Sequence, residues 1–189
     1  MKVTKAQAEE NRVRIIEAAS QLFREKGFDG IGLNDLMQAA GLTRGGFYGH
    51  FESKQDLAVQ ACRHALSTAG QAWNDPKDAS SEASLAGIVD FYLSDQHRDH
   101  PAQGCALSAL CNDVGRQGSE LKATFAEGVE HFLSVLQARV EGASPEARRS
   151  KAMATLSTLL GAVVLSRAVG DVALSSDIRH AAAEAVLEQ

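Results

Sequence analysis

Residues 39–57, AAGLTRGGFYGHFESKQDL, place several phosphate-binding side chains close together along the chain. Tyr48 and His50 can donate hydrogen bonds to phosphate oxygens, and Lys54 adds a positive charge. Hydroxyl, imidazole and ammonium groups are donors with which proteins hold the backbone of DNA. The chemistry that this segment predicts is therefore phosphate docking.

The same segment contains four glycines, although glycine costs about 1 kcal/mol relative to alanine inside a helix. Gly41 fits a tight turn. Gly45 and Gly46 lack a Cβ atom, which lets the backbone approach a groove wall or a phosphate closely. Phe47 and Phe51 are expected to pack inward, so that the segment has an apolar inner face and a polar outer face.

Local signals place this segment among short helices. The helices predicted from apolar spacing and capping residues span residues 5–26, 33–40, 44–49 and 54–73. Thr43 is a suitable N-cap for the third of these helices, and Ser53 with Asp56 forms a capping-box-like start for the fourth. Two short helices joined by a three-residue turn form a helix-turn-helix pattern, whose second helix enters the major groove of DNA. On spacing alone, a small helical subdomain with a glycine-rich elbow is the alternative.

The rest of the chain also has helical patterns. A polar stretch with proline and serines at residues 74–84 is the predicted boundary between subregions. Further helices are predicted at residues 82–98, 104–114, 118–141, 145–170 and 175–188. Because no convincing strand-type alternation is found, the predicted fold class is all-α with about nine helices.

Composition favours a soluble protein with an uneven charge distribution. The chain has 189 residues, of which 44% are hydrophobic and 23% charged. No apolar run approaches the roughly 18 residues that a membrane span needs, and the N-terminus has no signal-peptide core, so a cytoplasmic location is expected. The net charge is −5, yet residues 1–54 carry eight Lys or Arg against seven Asp or Glu. Any anion-binding role is therefore assigned to this N-terminal quarter.

The three cysteines, Cys62, Cys105 and Cys111, do not indicate a disulfide framework. Cys105 follows Gly104 at the predicted start of a helix, where the helix N-terminus is expected to lower the thiol pKa. Such a thiolate could react with electrophiles or oxidants, and Cys111 lies almost two helical turns further on. The alternative, which we favour, is that Cys105 and Cys111 are small buried hydrophobic residues, and packing is also the role expected of Cys62.

Other patterns do not predict catalysis or metal binding. His97 and His100 could supply two metal ligands, but spacing shows no third, so a solvated helix end is the preferred interpretation and no metal site is predicted. No phosphate-binding loop, dinucleotide fingerprint or nucleophile–base arrangement is found. We therefore predict that the protein is not an enzyme and has no cofactor.

Residues 12–57 resemble the TetR family of transcriptional regulators. The matching stretches are IIEAASQLFREKGFDG and LNDLMQAAGLTRGGFYGHFESKQDL. They follow nearly every position of the family pattern A-G-[small/Leu]-[Ser/Thr]-x-G-x-[apolar]-Tyr-x-[His/Tyr]-Phe-x-[Ser/Asn]-Lys. The resemblance implies a three-helix DNA-binding domain at residues 1–54 and an effector-binding and dimerisation domain at residues 55–189.

The resemblance also assigns roles to individual residues of the DNA-binding domain. Thr43 is implied to contact phosphate, and Arg44 to contact a base edge or a phosphate. The remaining implied contacts with DNA are Gly45 and Gly46 through close approach and Tyr48, His50 and Lys54 through phosphates. Family members often carry a hydroxyl residue at the start of the second helix, where this chain has Ile31 and Gly32. Asn34 is expected to substitute for that hydroxyl through its amide.

Family members typically bind a palindromic double-stranded DNA operator as homodimers and are released by a small molecule. The resemblance implies a dimer interface on the last two helices, for which the candidates are Leu156, Leu160, Val163 and Val164; an intramolecular core helix is the alternative. Cys105 is placed similarly to the cysteine of TetR-type sensors of reactive electrophiles. The predicted function is a ligand- or thiol-responsive regulator, which the resemblance implies to be a repressor. The competing prediction is a helical small-molecule-binding or thiol-reactive protein that does not bind an operator.

Overall fold

The computed structural model describes residues 4–74 and 84–188, and every regular element in these two stretches is helical. The predicted all-α fold is thus confirmed. The helices are α1 (Lys5–Lys26), α2 (Leu33–Ala39), a 3₁₀ helix (Arg44–Gly49), α3 (Lys54–Asn74), α4 (Leu85–Tyr92), α5 (Asp95–Asp99), α6 (Ala106–Gly115), α7 (Ser119–Gln137), α8 (Pro145–Ala168) and α9 (Val172–Leu187).

Helix α1 has the predicted bounds because both of its ends are capped. The Thr4 side chain accepts a hydrogen bond from the Gln7 amide at 3.2 Å. At the other end, Gly27 adopts φ 74° and donates its amide to the Phe23 carbonyl oxygen at 2.8 Å. The inner face of α1 carries the fully buried Ile15, whereas Val13 is 43% exposed.

The turn between α2 and the 3₁₀ helix needs its glycine. Gly41 has φ 70°, a left-handed conformation that side chains rarely adopt. Its amide donates to the Gln38 carbonyl oxygen at 2.9 Å, and the Leu42 amide donates to the Met37 carbonyl oxygen at 2.9 Å. The predicted turn at Gly41 is therefore confirmed.

The third helix is 3₁₀ rather than α, and Thr43 does not cap it with its side chain. The Gly46 amide donates to the Thr43 backbone carbonyl at 3.1 Å, a bond that spans three residues. The Thr43 side chain makes no capping hydrogen bond. Thr43 occupies the predicted N-cap position, but the predicted side-chain cap was wrong.

Helix α3 begins as predicted. The Ser53 hydroxyl accepts the Asp56 amide at 3.0 Å, and the Asp56 carboxylate accepts the Glu52 amide at 3.1 Å. The helix then packs along α1 on one side and α7 on the other. At its far end Trp73 lies edge-on to Phe132 and Tyr92, with ring centroids 4.7 and 5.7 Å apart.

The helix predicted at 82–98 was wrong as a single element. The structure has α4 and α5 in this region, separated at Leu93 and Ser94. Ser94 interrupts the helix because its hydroxyl accepts the His97 amide at 3.1 Å and so starts a new N-terminus. Most of the predicted linker at 74–84 lies outside the described residues.

Helices α8 and α9 pack against each other, and α8 also packs on α7. Ser144 caps α8 by accepting the Ala147 amide at 3.1 Å, and Pro145 occupies the first turn. Asp171 caps α9 by accepting the Leu174 amide at 3.0 Å. This cap starts α9 at Val172, three residues before the predicted position. Within the described stretches, none of the helices combines the length and apolar character needed to cross a membrane.

Gly30 fixes how closely the α1–α2 connection folds back on α1. A Cβ atom at this position would overlap the backbone carbonyl oxygen of Lys26, which cannot move without disturbing α1. We expect Gly30→Ala to lower the free energy of unfolding by about 2–4 kcal/mol, because backbone strain must be distributed over the turn. Urea denaturation followed by circular dichroism measures this change.

The matched control is Gly115→Ala at the end of α6, where an added Cβ meets no atom within 4 Å. Its free energy of unfolding should stay within about 0.5 kcal/mol of the parent value. Equal unfolding midpoints for Gly30→Ala and the parent chain would contradict the packing described for this turn.

Candidate nucleic-acid interface and effector region

The 3₁₀ helix presents its polar residues to solvent. Tyr48 is 70% exposed, and Arg44 is exposed beside it. His50 and Lys54 are half-buried at the end of the segment and at the start of α3. Arg44 and Lys54 form no ion pair with another described residue, so both positive charges are available to a ligand.

The remaining predicted contacts share this surface. Thr43, Gly45 and Gly46 are exposed, and Asn34 is exposed in the first turn of α2. The structure therefore leaves each of the eight residues predicted to contact DNA at least partly exposed and gathers most of them on one short segment.

Phe47 anchors the segment to the core. Its ring is fully buried and stacks on Phe51 with ring centroids 5.5 Å apart and an interplanar angle of 29°. The Tyr48 ring packs edge-on against the Phe47 ring, with ring centroids 5.2 Å apart. One side of the Tyr48 ring therefore contacts Phe47, while its hydroxyl end reaches solvent. The predicted inward packing of Phe47 and Phe51 is thus confirmed.

The glycines of the 3₁₀ helix have no packing role within the protomer. An added Cβ at Gly45 or Gly49 would meet no atom within 4 Å, and one at Gly46 would only touch the Met37 side chain at 4.0 Å. This contrasts with Gly41, whose φ of 70° requires a glycine. The bare backbone at Gly45 therefore faces open space, as a close approach by a ligand would require.

A chain of hydrogen bonds holds the start of α3 against α1. The Arg12 guanidinium donates to the Gln60 side-chain oxygen, and the Gln60 amide donates to the Asp56 carboxylate at 2.6 Å. The Arg12 guanidinium carbon also lies 5.7 Å from the centre of the Phe51 ring. Because Asp56 accepts the Glu52 amide, this chain fixes the connection that follows the 3₁₀ helix.

Sequence reasoning missed these positioning residues. The four-residue spacing of Asp56 and Gln60 on one helix face was readable. The link from Gln60 to Arg12 spans 48 residues and depends on how α1 and α3 cross. Arg14 was missed for the same reason: it donates to the Ala40 carbonyl oxygen at 2.6 Å, at the end of α2.

Cys105 does not have the lowered pKa expected of a thiol at a helix N-terminus. The side chain is only 4% exposed, and burial raises the pKa of the thiol above its ordinary value of 9.0. Hydrogen bonds from the Leu107 and Ser108 backbone amides, and the charge of Arg24, act in the opposite direction but do not prevail. The preferred alternative, a buried residue, therefore describes Cys105 in this conformer.

His97 holds the loop before Cys105 in place. Burial lowers its pKa, and the ring is 2% exposed, so the predicted solvated helix end was wrong at this residue. In the neutral ring, Nδ1–H donates to the Tyr92 carbonyl oxygen at 2.6 Å and Nε2 accepts the Cys105 amide at 2.9 Å. This arrangement assigns the tautomer because a carbonyl can only accept and an amide can only donate.

Arginines surround this cluster without carboxylate partners in the described part of the chain. Arg167 donates to the carbonyl oxygens of Arg98 and His97 at 2.8 and 2.6 Å. Arg24 of α1 donates to the Gly104 carbonyl oxygen at 3.1 Å, next to Cys105. The loop before α6 is therefore attached both to α8 and to the N-terminal helices.

The other two cysteines lie on α6 and α3, and neither is part of a metal-binding group among the described residues. Cys111 is half-buried on α6. Cys62 is buried on α3, where desolvation raises its pKa to about 12, as the predicted packing role requires. Among the described residues, no three His, Cys, Asp or Glu side chains are grouped as metal ligands.

The residues predicted for a dimer interface divide into two pairs on α8. Leu156 and Val163 are buried within the protomer, so they serve its own core. Leu160 and Val164 are half-buried on the adjacent face. Met153, which the sequence analysis missed, extends that face as an exposed apolar side chain, since it lies two helical turns before Leu160. Leu165 is also exposed, but it lies about 100° around the helix from Val164.

The part of the chain that contains the 3₁₀ helix is similar to a known protein family. Residues 15–61 match the family described as bacterial regulatory proteins, tetR family, which confirms the resemblance drawn from residues 12–57. The chain is 36% identical over 127 residues to the HTH-type transcriptional repressor DhaR of Mycobacterium sp. (strain GP1), covering 64% of this chain and 63% of that one. It is 25% identical over 163 residues to the HTH-type transcriptional regulator LmrA of Bacillus subtilis (strain 168), covering 83% and 86%.

The same fold occurs in the crystal structure of E. coli NemR in its reduced form. The TM-score is 0.75 at 20% identity, with 94% of this chain and 95% of that chain covered. Several curated relatives match over less of their length: the chain spans between 30% and 64% of three of them.

We expect Gly45→Ala to separate folding from DNA binding. An added methyl group meets no atom within 4 Å, so the free energy of unfolding should stay within about 0.5 kcal/mol of the parent value. The same methyl group would stand between the backbone and a DNA surface and should weaken binding to the target DNA about tenfold or more. Urea denaturation and fluorescence anisotropy with labelled DNA measure the two quantities.

Gly115→Ala serves again as the control, since it adds a methyl group in open space on α6, far along the chain from the 3₁₀ helix. Full DNA affinity in Gly45→Ala would show that the DNA backbone does not approach Gly45 closely. A large loss of stability would contradict the open space described around it.

Proposed function

Because residues 15–61 match the family of bacterial regulatory proteins, tetR family, we propose that the chain is a transcriptional regulator of this family that binds a double-stranded DNA operator. The observation that carries this proposal is the 3₁₀ helix, in which exposed donors flank a bare backbone above the buried Phe47 anchor. A packing role for Gly45 would have argued against it, and the open space there supports it.

The proposed contacts with DNA follow from exposure and charge. Arg44 reads a base edge or binds a phosphate, because its guanidinium is exposed and forms no ion pair with a described residue. Thr43, whose hydroxyl makes no capping bond, and Tyr48 donate to phosphates. Lys54 adds its charge to those contacts.

The other proposed contacts lie at the edges of the same surface. His50 donates to a phosphate next to Lys54, and the exposed Asn34 contacts a phosphate from the first turn of α2. Gly46 lets the backbone approach together with Gly45. Residues 1–54 would form the DNA-binding domain, and residues 55–189 the effector-binding and dimerisation domain.

A homodimer through α8 and α9 fits the apolar face described above. Leu160 and Val164, together with the exposed Met153, would cover the same residues of a second copy. Two copies related by a two-fold axis would present two 3₁₀ helices to successive major grooves, about 34 Å apart. This arrangement matches a palindromic operator.

Release from the operator would be a population shift. An effector that binds better to a conformer with wrongly spaced 3₁₀ helices lowers the fraction of chains competent to bind DNA. A cavity of about 330 Å³ between α3 and α7, lined in part by Arg63, Thr124 and His131, offers a place for a small molecule. Because α3 begins at the DNA-binding segment, a change in its position would be transmitted there. Repression is the proposed sign of regulation, since DhaR is named a repressor.

Modification of Cys105 is the second proposed route of release. The buried thiol leaves no room for an adduct, so a modified Cys105 would displace the loop that carries Gly104. That displacement would break the bond between the Gly104 carbonyl and Arg24, and so loosen α6 from α1.

The experiment that tests the proposal is a mobility shift with the DNA upstream of the protein's own gene, against shuffled DNA of the same composition. We expect specific binding by the parent chain and a loss of about tenfold or more in Arg44→Ala, since one base or phosphate contact contributes about 1–3 kcal/mol. The matched control is Arg149→Ala. It removes an arginine of α8 that pairs with Glu130 of α7, more than 100 residues along the sequence from Arg44. No specific binding in any effector state, or full affinity in Arg44→Ala, would refute the proposal.

A second experiment separates the two routes of release. Iodoacetamide alkylates a thiolate: a sulfur–carbon bond forms, the carbon–iodine bond breaks, iodide leaves and the thiol proton goes to solvent. We expect alkylation to release the parent chain from DNA, and Cys105→Ser to bind DNA but resist release. Because burial raises the Cys105 pKa above 9.0, the rate of release should still be rising above that pH.

Cys111→Ser is the control, and it should be released like the parent chain. If Cys105→Ser is released at the parent rate, the thiol route is wrong and a reversibly bound ligand is the effector. A rate that levels off below pH 9.0 would contradict the raised pKa.

A further inference from the structure

The 3₁₀ helix and the residue before it offer few side chains to DNA. Residues 43–49 read TRGGFYG, so three of the seven positions are glycines, which have no side chain. Phe47 is fully buried and is not available to a ligand. The side chains that remain on the exposed surface of this segment are those of Thr43, Arg44 and Tyr48, and Arg44 is the one that carries a charge.

Backbone hydrogen bonds fix the position of Arg44 on both sides. The Leu42 amide donates to the Met37 carbonyl oxygen at 2.9 Å, before Arg44. The Gly46 amide donates to the Thr43 carbonyl oxygen at 3.1 Å, in a bond that spans Arg44. The guanidinium itself is exposed and forms no ion pair with another described residue. A backbone that is already ordered lowers the entropic cost of binding through this side chain.

The donor pattern of a guanidinium matches one base in the major groove. A guanidinium has five N–H donors and no acceptor. Guanine presents two acceptors side by side, N7 and O6, whereas adenine presents an acceptor beside a donor, cytosine a donor, and thymine an acceptor beside a methyl group. We propose that Arg44 binds the N7 and O6 atoms of one guanine in each half of the operator. This inference rests on the proposed operator binding and names the base that Arg44 reads.

The other bases of each half-site have no matching reader in this segment. Asn and Gln form paired hydrogen bonds with adenine, and Asp and Glu accept hydrogen bonds from cytosine. Residues 43–49 contain none of these four residue types. The hydroxyl groups of Thr43 and Tyr48 can both donate and accept, so they do not select one base. The rest of the half-site is therefore recognised through the shape and deformability of the DNA.

The exposed amide side chains that precede this segment belong to α2. Asn34 and Gln38 are both exposed on that helix. α2 is the first helix of the helix-turn-helix pattern, and the first helix crosses the DNA backbone instead of entering the groove. These two amides therefore lie at the sugar–phosphate backbone, and the reading of a base is left to Arg44.

The test begins with the full chain and a pool of random double-stranded DNA, from which bound sequences are selected and their affinities measured by fluorescence anisotropy. Each guanine of the selected operator is then replaced by 7-deazaguanine, which lacks the N7 acceptor. We expect the affinity to fall about fivefold or more at one guanine in each half-site, because one of the two hydrogen bonds is lost. Inosine, which keeps N7 and O6, should bind within about twofold of guanine at that position.

The selection separates this inference from the proposed function. If no sequence is enriched from the pool, operator binding itself is overturned, and this inference with it. If an operator is selected but none of its guanines responds to 7-deazaguanine, this inference alone is overturned.

Variants connect the sensitive guanine with Arg44. Arg44→Ala should bind the unmodified operator about tenfold or more weakly and should no longer respond to 7-deazaguanine at that position. Lys54→Ala removes a proposed phosphate contact, so it should weaken binding to both DNAs by the same factor. The control Arg149→Ala should bind both DNAs like the parent chain. Loss of the same factor on both DNAs in Arg44→Ala would indicate a phosphate contact and would overturn the proposal.

Protection of guanine N7 from dimethyl sulfate keeps the test decisive if Arg44→Ala is unstable, since it uses the parent chain. The guanine that responds to 7-deazaguanine should be protected from methylation in the complex. Full methylation of its N7 atom in the complex would overturn the proposal.

Discussion

The packing of α3 between α1 and α7 is the constraint on which the other features depend. One helix starts at Lys54 beside the 3₁₀ helix and carries Trp73 near its far end, against Phe132 and Tyr92. Its approach to α7 is close because Gly128 faces the buried Leu66, where an added Cβ would lie 2.7 Å from the nearest Leu66 side-chain carbon. Helices in such close contact have few ways to slide, so a displacement at one end of α3 is carried to the other.

The buried cluster near that far end illustrates how desolvation outweighs local dipoles. Cys105 sits where helix amides stabilise a thiolate, yet removal from water raises its pKa. The same low-dielectric surroundings raise the pKa of the fully buried Tyr92 well above its usual range and keep His97 neutral. Each group is therefore uncharged in this conformer, and the cations that approach them bind carbonyl oxygens instead.

Much of the helical framework could be predicted because its signals are local. Gly27, Gly41, Ser53 and Ser144 end or start helices through bonds to residues three or four positions away, and all four were readable. The break at Ser94 was missed because the flanking residues are compatible with one continuous helix. The contacts that required tertiary structure, such as Arg12 with Gln60, could not be predicted.

The candidate interface was more predictable than the effector region for the same reason. Its residues lie within a short segment, so exposure and packing follow from one anchor, Phe47. By contrast, the residues around Cys105 come from α1, α4, α5 and α8. How these helices pack against one another cannot be predicted from the spacing of residues in the sequence. The sequence predicted that Cys105 lies at the start of a helix, but the predicted lowering of its pKa was wrong because burial raises it.

The empty space around Gly45 and Gly49 has a consequence for how such a surface can change over generations. New side chains at these positions would project outward without displacing any neighbour in the protomer. Variation there alters what the surface recognises while the cost to folding stays small, since surface substitutions usually change stability by less than about 0.5 kcal/mol. The chain thus keeps a region in which new target preferences can arise by single substitutions, on a scaffold that need not be rebuilt each time.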